Sequence, residues 1–484
     1  MSILSSQYET VIGLEVHAEL STKTKIFCGC KNEFGLPQNT ACCPVCTGMP
    51  GALPVLNRSV VEYAAKMGLA THCSVASASQ MARKNYFYPD LPKAYQISQF
   101  DHPICRDGYV EILGEDGEKK KIRLRQIHIE EDAGKLVHDA HPTDTLADYN
   151  RCGVPLIEIV SQPDLRSSEE ARRFLEQIRL TLLYLGISDC KMQEGSLRCD
   201  VNVSVRKKGS DRLGTRCEMK NINSFSAAVH AIDYEANRQI ELIEAGEEIH
   251  QETRRFDDQK GISTVLRTKE EAEDYRYFPE PDLLTIAISA DDLAQWQASL
   301  PELPGEKFDR YIHQLGISSA DARQITESLS RVEFFDRCVM LSPENAKQAA
   351  NWILGDIAKY LNETHQEITQ TKLTPESLIE LIEIIRSGKI SGTSGKTVLS
   401  EILTSGKSPE RIIQEKGLSQ ISDTALLQSI AQKVVEANPS SVEDYRKGKG
   451  SVLGFFVGQC MKETKGQGNP ALLKEILSEI LSGM

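Results

Sequence analysis

The chain has 484 residues, of which 40% are hydrophobic and 26% are charged, and its formal net charge is −13. This composition is typical of globular proteins with a buried core, and the length predicts two to four domains of about 100–200 residues each. The negative charge argues against a general nucleic-acid coat protein, but it leaves room for RNA binding through one local basic surface.

The start of the chain has no basic segment followed by an apolar run, and no apolar stretch of about 18 residues occurs anywhere. We therefore expect neither a secretory signal nor a membrane span, and a cytoplasmic location. The 13 cysteines are an odd number in a long chain. In a reducing compartment they indicate thiols or metal ligands, not a disulfide framework.

Short β-branched runs interrupted by Gly, Pro, Asn and Asp dominate the first 290 residues and predict strands. These runs are Glu9–Leu14, Gly108–Leu113, Lys121–Glu130 and Val201–Val205. Helical periodicity is clear at Ser168–Leu185 and Ala227–Glu244. The mixture predicts an α+β domain, built on a mainly antiparallel sheet, over residues 1–297.

A proline-rich connector, Leu300–Phe308, contains Pro301, Pro304 and Gly305, and we expect these residues to disfavour a helix there. Helical patterns follow at Lys307–Leu315, Ser319–Leu329, Ala346–Leu361 and Pro375–Ser387. A second break near Gly406–Pro409 separates them from the end of the chain. We therefore predict an all-helical domain at 298–405 and a small helical tail domain at 406–484.

A cysteine cluster near the start has the spacing of a metal site. Cys28 and Cys30 are followed, after twelve residues, by Cys43 and Cys46. Two close pairs joined by a loop can surround Zn²⁺ with four thiolates, which leaves no open position for catalysis and indicates a structural role. Cys42 competes with Cys43, and the spacing favours Cys43. The alternative is a set of free thiols.

Acidic residues recur in several predicted strands. Glu15, His17 and Glu19 alternate, so on a strand they share one face. Glu158 interrupts the apolar run PLIEIV, where a carboxylate needs a compensating partner. Converging carboxylates would suit Mg²⁺ and nucleotide phosphates, whereas each one alone fits a solvated or salt-bridged residue equally well. The spacing by itself does not select the set.

Three loops combine cations with aromatic residues, at Arg83–Lys93, Gln251–Asp257 and Asp274–Asp282. Arginine suits a transferring phosphoryl group, and loop anchoring is the alternative. In the tail, a basic stretch offers phosphate contacts to RNA or else forms a solvated helix face. Its residues are Arg446, Lys447, Lys449, Lys462 and Lys465.

Together these segments resemble one family over essentially the whole chain. The segments are ETVIGLEVHAEL, TGMPGALPVLN, RKNYFYPDLPKAYQISQ, HIEEDAGKL, NRCGVPLIEIV, EGSLRCDVNVSV, EMKNINSF, QETRRFD, DYRYFPEPD and VEDYRKGKGSVLGFFVGQCMKETKGQGNP. They resemble the B subunit of the amidotransferase that corrects misacylated Glu-tRNA(Gln) or Asp-tRNA(Asn). The resemblance implies a cradle domain with a glutamine-synthetase-like sheet, then a helical domain and a tail that contacts tRNA.

The resemblance also implies the reaction. ATP and Mg²⁺ phosphorylate the side-chain carboxylate of the misacylated residue, and ammonia then displaces phosphate. The ammonia comes from a glutaminase A subunit through a polar channel, and a small C subunit completes a heterotrimer. Glu-tRNA(Gln), Asp-tRNA(Asn) or both fit as substrates, with no role for DNA or a membrane.

Residue by residue, the resemblance assigns these roles. The catalytic set is Glu15, His17, Glu130, Glu131, Glu158, Asp200 and Glu218, of which Glu15, His17, Glu131, Asp200 and Glu218 would bind Mg²⁺. The residues that would contact the nucleotide are Arg254, Arg255 and Arg276. Those that would line the ammonia channel are Lys84, Tyr86 and Lys93. The zinc ligands would be Cys28, Cys30, Cys43 and Cys46. Two alternatives stay open, a non-catalytic tRNA-binding scaffold for an amidase and a zinc-dependent hydrolase.

Overall fold

The computed structural model describes residues 7–114, 118–138, 144–268, 275–420, 424–446, 449–450, 452–464 and 467–483. The chain divides into two compact units, Met1–Pro304 and Gly305–Met484. Among the described residues, no helix combines the length and the apolar character that crossing a membrane requires.

The first unit combines many strands with a few helices. Its strands are β1 (Tyr8–Glu19), β2 (Ser74–Val75), β3 (Ala78–Ser79), β4 (Ala82–Asn85), β5 (Tyr95–Ser98), β6 (Cys105–Arg106), β7 (Tyr109–Leu113), β8 (Lys119–Glu131), β9 (Lys135–His138), β10 (Thr145–Asp148), β11 (Pro155–Ser161), β12 (Leu197–Lys207), β13 (Cys217–Ile222), β14 (Glu252–Asp257), β15 (Ile262–Thr268), β16 (Phe278–Pro279) and β17 (Ile286–Ala287). Its helices are α1 (Arg58–Ala70), α2 (Ser168–Tyr184), α3 (Phe225–Ala245) and α4 (Ala290–Ala298).

A ten-stranded sheet forms the centre of this unit, in the order β15-β14-β13-β12-β1-β11-β8-β6-β2, with β7 also paired to β8. Neighbouring strands run antiparallel, apart from the parallel pair β13–β14 within the described residues. The predicted α+β class is confirmed, and the four predicted strands fall in β1, β7, β8 and β12. The cradle shape and the glutamine-synthetase-like layout stay predictions.

Along the central strand β1, apolar side chains point to one face of the sheet and polar side chains to the other. Leu14, Val16 and Ala18 are buried in the core, and α2 and α3 pack against one another and against this side of the sheet. Because side chains alternate along a strand, Glu15 and His17 lie on the opposite face. Burying the apolar side chains of one face removes them from water and stabilises the fold, and the polar side chains lie on the other face.

Local signals fix both large helices. Ser167 and Ser224 cap α2 and α3 by accepting hydrogen bonds from the backbone N–H groups of Glu170 and Ala227. Helix α3 ends at Gly246, whose φ of 75° lies in the left-handed region that glycine adopts without a steric penalty. The predicted bounds of both helices differ from the observed ones by at most two residues.

The second unit is helical throughout its described elements. Its helices are α5 (Pro304–His313), α6 (Ser319–Thr326), α7 (Leu329–Leu341), α8 (Ala346–Trp352), α9 (Ala358–Thr364), α10 (Pro375–Arg386), α11 (Gly392–Ser405), α12 (Pro409–Lys416), α13 (Thr424–Glu436), α14 (Pro439–Arg446), α15 (Val452–Glu463) and α16 (Pro470–Ser482). A π-helical turn, Ile353–Ile357, joins α8 to α9, and 3-10 turns lie at Pro343–Asn345 and Ile368–Gln370.

The expectation of a helix-free connector at Leu300–Phe308 is wrong for its second half. Helix α5 begins at Pro304 and includes Gly305. Proline is well tolerated in the first helical turn, because its missing N–H would have no intrahelical partner there. The expected break near Gly406 is confirmed, since α11 ends at Ser405 and α12 begins at Pro409.

The last helices share a core of their own, in which Leu427, Phe456, Leu473 and Leu477 are fully buried. Helices α13, α15 and α16 pack on one another around it. The separation of the helical part into domains at 298–405 and 406–484 stays a prediction.

Candidate active site

Polar side chains form cross-strand rows on the face of the sheet opposite α2 and α3. His128 of β8, Glu158 of β11, His17 of β1 and Arg198 of β12 are neighbours in register across four adjacent strands. Glu15 pairs with Asp200 in the next row, and Asn202 pairs with Glu218 in the row after that. We call this surface the carboxylate face; its residues are His128, Glu130, Glu158, Glu15, His17, Arg198, Asp200, Asn202, Glu218 and Lys220.

One group on this face combines two histidines with two glutamates, and we call it the histidine–glutamate group. His17 Nε2 lies 3.4 Å from Glu158 Oε2 and 3.6 Å from Glu130 Oε1. His128 Nε2 lies 3.1 Å from Glu158 Oε2 and 3.7 Å from Glu130 Oε2. His17, Glu130 and Glu158 can each direct one ligand atom to a common point.

Electrostatics ties this group together. Burial alone lowers the pKa of His17, but the charges of Glu158 and Glu130 raise it to about 9. For His128, burial is likewise outweighed by Glu158 and Glu130, and the pKa rises to about 10. Burial raises the pKa of Glu158, yet the two imidazolium groups hold it well below its usual value. His17, His128 and Glu158 thus stabilise one another in their charged forms.

The second group consists of Glu15, Asp200 and Glu218, and we call it the three-carboxylate group. One oxygen from each carboxylate lies within 4.8 Å of the others. Lys220 Nζ donates to Asp200 and to Glu218, where its distance to Oε1 is 3.0 Å. Burial lowers the pKa of Lys220, but Asp200 and Glu218 raise it above the ordinary value. Residues 15 and 17 are two positions apart on β1, so their Cα atoms lie about 7 Å apart and the two groups are neighbours along the strand.

The donor set of the three-carboxylate group fits a hard divalent cation such as Mg²⁺. Carboxylate and amide oxygens are the protein ligands that such cations prefer. Asn202 Nδ2 donates to Glu15 Oε1 at 3.0 Å, whereas Asn202 Oδ1 is buried with no hydrogen-bond partner among the described residues. A buried oxygen without a donor is costly, which makes Asn202 Oδ1 a candidate further ligand for a cation beside these carboxylates.

The four cysteines of the first loop also meet. Cys46 Sγ lies 3.5 Å from Cys28 Sγ, 3.7 Å from Cys43 Sγ and 4.0 Å from Cys30 Sγ. A tetrahedron with Zn–S bonds of about 2.3 Å has edges of about 3.8 Å, and these three distances from Cys46 are close to that value. Cys42 is absent from this group, and its Sγ donates instead to the carbonyl of Asn39. The geometry therefore supports Cys43 over Cys42.

A buried lysine lies against the cysteine group. Lys25 is 1% exposed, and its Nζ donates to the carbonyls of Ala41 and Cys152 at 2.6 and 2.8 Å. It also lies 3.7 Å from Cys46 Sγ. A hydrogen bond from Cys28 and the nearby charge of Lys25 contribute to lowering the pKa of Cys46 to about 4. A thiolate at Cys46 is the form that binds metal.

Comparison with known proteins identifies the family. Residues 10–294 match the family model described as the GatB/GatE catalytic domain, and residues 333–481 match the GatB domain. A curated protein of Caldicellulosiruptor saccharolyticus is 54% identical over 98% of this chain and 99% of its own length. Similar proteins of Caldanaerobacter subterraneus and Clostridium botulinum are 54% and 51% identical over 98% of this chain, covering 100% and 98% of their own lengths. Each of the three is named as the B subunit of an aspartyl/glutamyl-tRNA(Asn/Gln) amidotransferase.

The chain belongs to the GatB family. The family predicted from the sequence is thus confirmed, and with it the class of enzyme, an amidotransferase subunit. The catalytic-domain match covers the carboxylate face and the cysteine group, whereas the second match covers most of the helical unit.

Glu131 lies apart from both acidic groups, although the family resemblance assigned it to the metal set. It follows Glu130 on β8, so strand alternation turns it to the other face. Its carboxylate accepts hydrogen bonds from Lys93 Nζ and from the backbone N–H of Ile97, and it is buried. The geometry makes Glu131 the partner of Lys93 and not a member of the three-carboxylate group.

Lys84 and Tyr86 lie in an aromatic enclosure beside the histidine–glutamate group. Lys84 Nζ is 4.9 Å from the ring centre of Tyr275 and 5.7 Å from that of Tyr86. Burial lowers the pKa of Lys84, but Tyr277, Glu130 and other nearby groups raise it above the ordinary value. Burial raises the pKa of Tyr86 to about 12. This enclosure places two of the three predicted channel residues, Lys84 and Tyr86, beside Glu130, whereas the third, Lys93, pairs with Glu131.

The three predicted nucleotide-binding arginines occupy different positions. Arg255 pairs in register with Lys220 and is exposed on the carboxylate side of the sheet. Arg254 is buried on the opposite side, where it donates to Ser263 and Glu252, so its guanidinium is already engaged. Arg276 is exposed, and its backbone carbonyl accepts from Asn85 Nδ2 at 2.7 Å. The geometry brings only Arg255 of these three to the carboxylate face.

The predicted tRNA-binding residues of the tail are partly described. Lys449 is exposed and pairs with Asp444 at 3.1 Å, and Lys462 is exposed in the last turn of α15. Arg446 is the last residue of α14. Lys447 and Lys465 lie outside the described residues.

Four residues of the carboxylate face were not among the predicted site residues: His128, Arg198, Asn202 and Lys220. Each is two positions from a predicted site residue on the same strand, so strand alternation would have predicted that they share its face of the sheet. Six of the predicted site residues lie on this face in the two groups described above, and their catalytic and metal-binding roles stay predictions. They are Glu15, His17, Glu130, Glu158, Asp200 and Glu218.

Proposed function

We propose that this chain holds the site at which ATP phosphorylates the side-chain carboxylate of Glu or Asp carried by tRNA, and at which ammonia then forms the amide. The observation that carries this proposal is the convergence of Glu15, Asp200 and Glu218 beside the histidine–glutamate group on one face of the sheet. The names of the curated relatives support the substrate class, aspartyl- or glutamyl-tRNA.

The proposed reaction has two steps. A carboxylate oxygen of the substrate attacks the γ-phosphorus of ATP, the bond to ADP breaks, and an acyl phosphate forms. Ammonia then attacks the acyl carbon, phosphate leaves with the bonding electrons, and a proton is lost. Activation is required because an unmodified carboxylate has no good leaving group. Positioning and charge stabilisation are the main contributions that a protein makes to phosphoryl transfer.

The chain's own residues would supply that stabilisation. Glu15, Asp200 and Glu218, with Asn202, form the donor set for Mg²⁺, and Mg²⁺ would neutralise charge on the phosphates when bound. Arg255 is exposed next to Lys220 and in reach of an anion on this face. His17 and Glu158 would fix the arrangement of the neighbouring group, since each holds the other in its charged form.

Ammonia must arrive without a proton, and an enclosed polar passage would favour this. Lys84 and Tyr86 stand beside Glu130 and support such a passage at the end nearest the carboxylate face. We propose that ammonia comes from glutamine hydrolysed on an A subunit, that a small C subunit completes the heterotrimer, and that the complex works in the cytoplasm. In the tail, exposed Lys449 and Lys462 would contact tRNA phosphates.

Zinc at Cys28, Cys30, Cys43 and Cys46 would be structural. Four cysteines complete a tetrahedral shell, so no position is left for a reacting water. This arrangement argues against the zinc-dependent hydrolase.

The decisive experiment compares Glu15→Gln with Glu9→Gln in the complex with its A and C subunits. Glu9 lies on the same strand but pairs with Arg206 and Arg166, away from both groups. We expect Glu15→Gln to lower tRNA-dependent ATP hydrolysis by at least about a hundredfold and to leave tRNA binding intact, whereas Glu9→Gln keeps both. Unchanged ATP hydrolysis in Glu15→Gln would favour the non-catalytic scaffold instead.

A further inference from the structure

Lys220 places its ammonium between two of the carboxylates that could hold a metal ion. Its Nζ donates to Asp200 and, at 3.0 Å, to Glu218 Oε1. Asp200 and Glu218 are themselves largely buried, with side chains 19% and 8% exposed, whereas the Lys220 side chain is 35% exposed. The lysine therefore reaches into the three-carboxylate group from its solvent side.

The charges of the three-carboxylate group explain why the position of the Lys220 ammonium matters for metal binding. Glu15, Asp200 and Glu218 bring three negative charges when ionised, and Lys220 returns one positive charge. The ammonium occupies the place of a cation, so it must compete with any divalent ion for the oxygens of Asp200 and Glu218. Beside them, a buried oxygen of Asn202 has no donor within the part of the chain that the structure describes, so Lys220 does not satisfy this neighbouring oxygen.

Displacement would leave the ammonium close to any phosphate on this face. Lys220 pairs in register with Arg255, which is exposed, so two cations would stand side by side at the edge of the three-carboxylate group. A lysine is a flexible point charge on a four-carbon stem, and it can exchange a carboxylate for a phosphate by rotation of its side chain.

We propose that Lys220 is a phosphate-binding residue that Asp200 and Glu218 hold in place until a divalent cation takes over their oxygens. This inference rests on the proposed function, because it takes the three-carboxylate group as the metal site. It assigns to Lys220 two opposed effects, since the side chain weakens binding of the metal alone and strengthens binding of the metal–nucleotide complex.

The test measures both affinities for Lys220→Met in the full chain, co-expressed with its partner subunits. Calorimetry or Mn²⁺ electron paramagnetic resonance would follow Mn²⁺ alone, and calorimetry would follow a non-hydrolysable ATP analogue saturated with Mn²⁺. We expect Lys220→Met to bind Mn²⁺ alone about tenfold more tightly and the Mn²⁺–nucleotide complex about tenfold more weakly, within the usual range of coupling between sites. Lys220→Arg keeps the charge and should shift both affinities less.

Lys191→Met is the matched control, because Lys191 also contacts two acidic residues, Asp189 and Glu194, but at the surface. It should leave both affinities unchanged. If Lys220→Met does not fold, Lys220→Gln takes its place in the same two measurements. Shifts in the same direction, or no shift, would overturn the role of Lys220 while the metal site stands. If the wild-type complex binds neither Mn²⁺ nor the Mn²⁺–nucleotide complex, the proposed function fails as well.

Discussion

His17 and Glu158 face one another across β1 and β11, with 3.4 Å between His17 Nε2 and Glu158 Oε2. The same Glu158 oxygen lies 3.1 Å from His128 Nε2, so one carboxylate serves two imidazoles. Burying three ionisable groups together is favourable only when their charges compensate one another. Glu158 is thus the residue on which the histidine–glutamate group depends.

Replacing Glu158 with Gln should therefore disrupt the group without emptying the three-carboxylate group. We expect ATP-dependent amide formation to fall by about a hundredfold, in the range found for loss of a positioned acid or base. Binding of Mn²⁺ to the three-carboxylate group should change less than about twofold, since the side chains of Glu15, Asp200 and Glu218 are untouched. Glu194→Gln, a surface change, is the control. Parallel loss of Mn²⁺ binding would show that the two groups are one site.

Asn202 offers a separate test of the metal site. Asn202→Leu keeps the side-chain size but removes both the buried Oδ1 and the donor to Glu15. We expect about a tenfold loss of Mn²⁺ affinity, equal to about 1.4 kcal/mol. Asn202→Asp retains an oxygen in that position and should bind Mn²⁺ at least as tightly as the wild type. A similar loss in both variants, measured by calorimetry, would indicate that Asn202 acts through its amide donor to Glu15 and not through its oxygen.

Glu131→Gln should affect stability and not metal binding. Its carboxylate is paired with Lys93 on the other face of the sheet, and both side chains are buried. Removing the charge leaves the Lys93 ammonium uncompensated, which we expect to lower the free energy of unfolding by about 3 kcal/mol. Denaturant unfolding and Mn²⁺ calorimetry on the same variant would check this. A clear loss of Mn²⁺ affinity in Glu131→Gln would instead assign Glu131 to the metal site.

The affinity of the cysteine group for zinc should depend on Lys25 as well as on the four cysteines. Four thiolates and Zn²⁺ carry a net charge of −2, and the buried Lys25 ammonium lies 3.7 Å from Cys46 Sγ. We expect Lys25→Met to bind zinc about tenfold more weakly and Cys46→Ser to retain little zinc, as measured by competition with a chromophoric chelator. Cys42→Ser should retain one zinc per chain, because Cys42 lies outside the group. Equal zinc loss in Cys42→Ser and Cys46→Ser would contradict the four-cysteine assignment.

Sequence patterns predicted the α+β class and several of the longest elements of the first unit, because long elements carry clear periodic signals. The alternation of Glu15 and His17 with apolar Leu14 and Val16 predicted β1, and helical periodicity predicted α2 and α3. The start of α5 at Pro304 was mispredicted because proline was treated as a helix breaker irrespective of its position in the helix. Short strands such as β2 and β6 carry too few residues for a periodic signal.

The site was less accessible to sequence reasoning, since it depends on register. Glu130 and Glu131 are adjacent in the chain, and only the pairing of β8 with β11 shows which of them faces Glu158. Arg254 and Arg255 pose the same problem, because a shift of one residue exchanges the faces of a strand. Alternation could have placed Lys220 and Asn202 on this face, but their contacts with Asp200 and Glu15 on neighbouring strands follow only from the pairing of those strands.

The helical unit contains a charge cluster whose contribution to stability should depend on pH. Asp336 of α7 accepts hydrogen bonds from Lys307 Nζ at 2.5 Å, Arg310 at 2.9 Å and Tyr311 Oη at 2.8 Å, all on α5. Burial alone would raise the pKa of Asp336, but these three donors lower it below its ordinary value. A carboxyl with a lowered pKa in the folded state stabilises the fold above its unfolded pKa, and this stabilisation is lost as the pH falls through the folded pKa.

Asp336→Asn should therefore reduce the free energy of unfolding by about 2 kcal/mol at pH 7, and the difference from wild type should shrink as the pH falls below about 4. Urea unfolding of the full chain, followed at pH 7 and near pH 3, would measure both values. Asp356→Asn is the control, because Asp356 forms an exposed pair with Lys396 at 3.2 Å, and such pairs contribute about 0–1 kcal/mol. A difference between Asp336→Asn and wild type that stays constant from pH 7 to pH 3 would contradict an ionised Asp336, because only the ionised carboxylate attracts Lys307 and Arg310 more strongly than the neutral amide does.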